Sequence, residues 1–145
     1  MYFILNQSWS YTREFLVPAL SFLLLLMMGT FVISVYLYVD TGLGSLFVAE
    51  APGAVNTTIP GVPAIPTMLC FILIGIAGLI TVYNPKPTIS IFWLGAIVTF
   101  IGSLAALGYL IGAPLLYYSF VGYTAMAFHT AVLFVLLGVA MMRCR

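Results

Sequence analysis

Four stretches of this chain run far enough without a charged side chain to cross a bilayer, and nothing else constrains the fold as strongly. They extend from about Phe15 to Val39, Pro66 to Tyr83, Ile89 to Ala113 and Thr124 to Met142. A helix needs about 20 mostly apolar residues to traverse the hydrocarbon core. Inside lipid every backbone N–H and C=O must be satisfied by the protein itself, so a spanning segment is a helix or a strand of a closed barrel. Barrel strands alternate apolar and polar residues over short segments, and these runs do not alternate. Charged residues make up 5% of the 145 residues, against about 25% in a soluble domain. That is too few to clothe a surface facing water. The sequence predicts an all-α integral membrane protein, with one transmembrane domain over residues 1–145 folded as a four-helix bundle.

The connections differ in kind. Residues 40–65 form a long first loop rich in Gly and Pro, with Asp40 and Glu50, and a short strand or interfacial helix is expected near Leu43 to Ala49. The second connection, "NPKPT", is a tight turn, and the third, "PLLYYSFVGY", is uncharged and aromatic. Arg13, Lys86, Arg143 and Arg145 all fall on one side of this scheme. The positive-inside rule then puts both termini in the cytoplasm. Tyr36, Tyr38, Tyr109, Tyr117, Tyr118 and Tyr123 gather toward the opposite interface, where an aromatic belt belongs. The opening "MYFILNQSWSYTRE" has no basic region ahead of its apolar residues, so it is expected to be mature protein lying along the headgroups rather than a signal peptide. Asn56-Thr57-Thr58 is a short sequon match of little weight.

An internal repeat relates the second and fourth spans. "PTMLCFILIGIA" from Pro66 aligns with "HTAVLFVLLGVA" from His129. Thr67 meets Thr130, Phe71 meets Phe134, Leu73 meets Leu136, Gly75 meets Gly138 and Ala77 meets Ala140. Both spans run the same way, so the expectation is two helical hairpins related by an axis along the membrane normal. Lipid gives apolar helices no hydrophobic reason to associate, and close packing relies on small residues. Gly75 and Gly78 on the second span, Gly102 and Ala106 on the third, and Gly138 on the fourth are the predicted packing positions. Gly108 and Gly112 form a further G-x-x-x-G pair. Pro18 and Pro66 are each expected in a first helical turn, where a missing N–H is tolerated.

The one histidine, His129, lies inside the fourth run. An ionisable group at membrane depth normally points into the bundle and has a partner. Three roles compete: a neutral imidazole bonded to a serine, a tyrosine or a carbonyl; an axial ligand to haem b; or the polar contact for a quinone or other apolar small molecule. As a metal ligand His129 serves only in the haem case, with Met126, another methionine, a second chain or an open position opposite it. The predicted pocket comprises His129, Met126, Tyr123, Tyr109, Tyr117 and Ser103, with Met126 one helical turn above the histidine. No paired acids, nucleophile–base set, phosphate loop or metal-like Cys/His spacing occurs, so no enzyme is expected and no catalytic residue is named. Cys70 and Cys144 lie in separate segments and suggest neither disulfide nor zinc. Nothing points to nucleic acid.

From Leu104 onward, "LAALGYLIGAPLLYYSFVGYTAMAFHTAVLFVLLGVAMM" resembles the end of a multi-span N-terminal membrane sensor region. That region stands ahead of PAS, histidine-kinase or diguanylate-cyclase modules in prokaryotic signalling proteins. The matching positions are Gly108, Tyr109, Leu110, Gly112, Leu116, Tyr117, Thr124, Met126, Ala127, His129, Thr130 and Ala131. Upstream, "PTMLCFILIGIAGL" is similar to a second stretch of the same region, with Pro66 replacing the helix-opening Asn. The resemblance implies a sensor or input domain in the prokaryotic cytoplasmic membrane, coupled through the fourth span to an output module. It leaves the ligand open. The remaining expectations are a haem-binding membrane protein and a small accessory subunit of a larger complex. Homodimerisation or a larger membrane assembly is the expected partnership, besides the lipid itself.

Overall fold

Pro18 sets the character of the first helix. It has no N–H to donate, and its ring crowds the carbonyl four residues earlier. In the computed structural model, which describes residues 12–37, 62–84, 89–113, 116 and 125–143, a π-helical turn over Thr12–Leu16 runs directly into helix α1, Val17–Leu37. Such wide turns occur where the ordinary i→i−4 ladder is disturbed. Pro18 is the second residue of α1, in its first turn as expected, with the π-helical turn continuing the rod ahead of it. Pro66 does lie in the first turn of α2, Ile65–Tyr83. Helices α3, Ile89–Ile111, and α4, Phe128–Arg143, complete the described fold. The described residues contain no strand, and the region near residues 43–49 lies outside them.

Three helical rods, Glu14–Leu37, Ile65–Tyr83 and Ile89–Ile111, are long and apolar enough to cross a membrane. Helix α4 is shorter. Its 16 residues extend about 24 Å at 1.5 Å per residue, less than the roughly 30 Å hydrocarbon core. It starts at Phe128 rather than near Thr124, and Ala125 to Ala127 lead in without helical structure. Helix α3 stops earlier than expected, because Gly112 adopts φ 67° and the Ala113 N–H donates back to the Gly108 carbonyl at 2.9 Å. That six-to-one bond closes a Schellman motif. Gly112 is thus a helix stop and not half of a packing pair, and nothing lies within 4 Å of where its Cβ would be.

Glycine governs how the helices meet. In the first hairpin a Cβ on Gly75 would lie 2.8 Å from the Leu25 side chain and 3.3 Å from the Ser21 carbonyl, and one on Gly78 would strike the Ser21 hydroxyl. In the second hairpin a Cβ on Gly138 would lie 2.6 Å from the Gly95 carbonyl and would strike the Thr99 hydroxyl. One on Gly95 would lie 2.9 Å from Met141 Cβ. Gly102 meets the Ala131 carbonyl in the same way, at 2.8 Å. Each pair is therefore antiparallel, and the two hairpins use the same pattern. Gly75 corresponds to Gly138, and the Ser21–Gly78 contact to Gly95–Met141 with the side chain moved to the other helix. The buried set of α1, Ser21, Met28, Phe31 and Ser34, recurs at the same spacing in α3 as Gly95, Gly102, Ala105 and Gly108.

Two adjoining cores result. One gathers Ala64 and Cys70 with Val98 and Ala105 of α3 and Met126, Ala131 and Phe134 from the α4 side. Phe71 and Phe134, paired in the repeat, meet edge to face there at 5.1 Å. The second core holds Met28 and Phe31 against Met68, and among the described residues draws on α1, α2 and the residues just before α2. Hydroxyls inside the helices bond to carbonyls of the preceding turn: Thr30 to Met27, Thr81 to Ala77 and Thr99 to Gly95. This leaves no donor stranded in an apolar setting. Large apolar side chains such as Leu23, Phe100 and Leu136 cover the exterior, as lipid-facing surfaces should. Among the described residues the charged ones, Arg13, Glu14 and Arg143, share one end of the assembly with the last turn of α2 and the first of α3.

Candidate functional site

At the opposite end, a polar bond joins α3 to the lead-in to α4. Tyr109 stands two residues before the end of α3, and its hydroxyl donates to the Met126 carbonyl at 2.7 Å. Its ring meets Phe128, the first residue of α4, edge to face at 5.8 Å. The bond has a structural consequence. It engages the Met126 carbonyl from the side, and the first backbone bond at this end runs from the Ala131 N–H to the Ala127 carbonyl at 3.0 Å. The Met126 side chain is fully buried in the three-helix core. Ser103, farther along α3, is half-buried. Tyr117 and Tyr123 lie outside the described residues.

His129 is not part of this cluster. It is exposed, on a face shared with Leu133, Leu136 and Ala140. The reason is helical geometry. Ala131 and Gly138 must face α3, since their small size permits the close approach. At 3.6 residues per turn, two residues rotate the helix by about 200°, which turns His129 away from that interface. The expectation of an inward imidazole is therefore corrected. So is the expectation of Met126 one turn above it on the same helix, because Met126 precedes the helix and points into the core. The two do not converge, and a haem held between them is not built by this chain.

Gly75, Gly78, Gly102 and Gly138 all lie at helix crossings, and Ala106 packs half-buried against the three-helix core. Sequence reasoning missed Gly95, which stands seven residues before Gly102 on the same face, and Phe128, whose role depends on a ring that reaches it from another helix. Among the described residues no group of three or more His, Cys, Asp or Glu side chains forms a metal site. What the cluster offers is a phenol, a carbonyl and aromatic edges around the start of one helix. Its phenol and carbonyl are bonded to each other, so a ligand that replaces that bond or wedges between the rings would change the junction. No protein-family model, curated protein or solved structure matches the chain.

Proposed function

We propose that this chain is the membrane-embedded input domain of a signal-transduction protein, crossing a prokaryotic cytoplasmic membrane four times with both termini in the cytoplasm. The observation that carries the reading is the Tyr109–Met126 bond. It fastens the outer start of α4, the helix whose other end leaves the membrane through Arg143. A stimulus that binds the fastened and released arrangements with different affinity shifts the population between them. Because α4 is tied to α3 along a close glycine seam, a displacement at Phe128 passes along the seam to Arg143. The Thr124 to Ala131 block that resembles known sensor regions spans the same junction. The pocket is then Tyr109, Met126, Phe128 and Ser103, with Tyr117 and Tyr123 as further contributors.

The test is a chimera in which a histidine-kinase module follows Arg145 in a cell membrane. Tyr109→Phe removes the bond and keeps the ring, and it is expected to shift basal kinase output several-fold. Output identical to the parent at equal membrane abundance defeats the reading.

A further inference from the structure

We infer that the start of α4 is a two-state element: residues 125–127 join the helix when the Tyr109 bond opens, and a thicker bilayer is what opens it. It rests on the sensor reading in taking this junction as the input point, and it adds the stimulus. The two repeated helices start in equivalent places. Helix α2 begins at Ile65 and α4 at Phe128, paired at the offset that matches Pro66 with His129. Their first backbone bonds also correspond, from the Met68 N–H to the Ala64 carbonyl and from the Ala131 N–H to the Ala127 carbonyl, both at 3.0 Å. The causes differ. Pro66 lacks an N–H and its ring crowds the carbonyl four residues earlier, and Pro63 turns the residue before it away from helical geometry. Covalent structure thus stops α2 from growing upstream. At the matching positions of α4 stand Met126 and His129, and neither forbids a helix. Ala and Met are among the best helix formers, yet Ala125, Met126 and Ala127 are not helical.

Tertiary contacts hold them out. The Met126 carbonyl, which in a longer helix accepts the Thr130 N–H, accepts the Tyr109 hydroxyl instead. The Met126 side chain is sunk in the core, 0% exposed. Helical continuation turns it about 140° from Ala131, out of that core and onto the face of His129. Lipid tails are as apolar as the core, so the move forfeits packing and one hydrogen bond but no apolar environment. In return the His129 and Thr130 N–H groups gain carbonyls of the preceding turn, and α4 gains length. Its 16 residues make it the shortest of the four helices, and three more match the 19 of α2, adding about 4.5 Å. A helix shorter than the hydrocarbon core is penalised for each ångström of mismatch. The latched form is therefore favoured in a thin bilayer and the lengthened form in a thick one, which is the differential affinity that a stimulus needs. Without the phenol the start frays in a thin bilayer, where added length gains nothing, and turns helical in a thick one.

Solid-state NMR of the full chain, isotope-labelled at methionine, tests this in vesicles of dimyristoleoyl, dioleoyl or dierucoyl phosphatidylcholine, which differ in acyl length. The Met126 Cα signal is expected in the non-helical range in the shortest lipid and in the helical range in the longest. Met68, beside the proline-fixed start of α2, is expected to stay helical throughout. His129→Pro gives α4 the proline of α2, and its Met126 signal is expected to remain non-helical in every lipid. Tyr109→Phe is expected to bring the change to a shorter lipid. A parent Met126 signal that is the same in all three lipids, helical or not, overturns the inference, as does a His129→Pro variant that follows the parent. The kinase chimera separates this from the sensor reading. A lipid-dependent Met126 signal with kinase output indifferent to Tyr109→Phe keeps the lengthening and removes the sensor; the reverse pairing removes the lengthening alone.

Discussion

A methyl group added to Gly138 would land 2.6 Å from the Gly95 carbonyl and 2.7 Å from the Thr99 amide nitrogen. Both are backbone and cannot step aside. At the repeat-related Gly75 the nearest obstacle is the Leu25 side chain at 2.8 Å, which can change rotamer. Overpacking a tight interface costs about 1–3 kcal/mol. Gly138→Ala is therefore expected to lose about 2 kcal/mol in steric-trap unfolding within bicelles, and Gly75→Ala less than about 1 kcal/mol by the same relief of strain. Equal losses would show that the two crossings are not as different as their obstacles. The small residues were legible from the sequence, because only they allow helices to approach in lipid. The outward turn of His129 was legible too, in retrospect. Once Ala131 and Gly138 fix the packed face, helical rotation sends His129 to the other side. General reasoning about ionisable groups obscured that residue-level constraint.

The helices themselves followed from apolar length, and their ends did not. The start of α4 depends on the Tyr109 hydroxyl, which approaches from 17 residues away in sequence, so no local pattern announces it. The stop of α3 at Gly112 carried a local signal, a glycine near a helix end, but the same glycine also completed a G-x-x-x-G spacing and was read as packing. Its positive φ decides between the two. Removing the Tyr109 bond is expected to loosen the first turn of α4 in particular. A net hydrogen bond contributes about 0.5–1.5 kcal/mol. Tyr109→Phe should then speed amide exchange at Ala131 by up to about tenfold, with exchange in the middle of α2 unchanged. Uniform acceleration across all helices would mean that the bond holds the whole fold and not one junction.

Taken whole, the molecule is a row of helices with two adjoining cores. The sequence repeat pointed to paired hairpins, and their matched glycine crossings agree with that pairing. It did not indicate that, among the described residues, α1 would share its core with α2 and the residues just before it. Single-span patterns carry no record of which hairpin faces remain open. The separation of Met126 from His129 also bears on cofactor chemistry at this scale. Purified protein supplemented with haem b is expected to show no Soret band, since Met126 is enclosed and the imidazole stands alone on the outside. A band that vanishes in His129→Ala would replace the sensor reading with a haem site completed by a second molecule.

The lack of charge inside the helices has an electrical corollary. Between Val17 and Met142 the four helices contain no Asp, Glu, Lys or Arg. A membrane voltage performs work of about 2.3 kcal/mol per 100 mV on each elementary charge it drives through the bilayer, and these helices give it none to drive. Depolarisation therefore finds no formal side-chain charge within these helices to pull on.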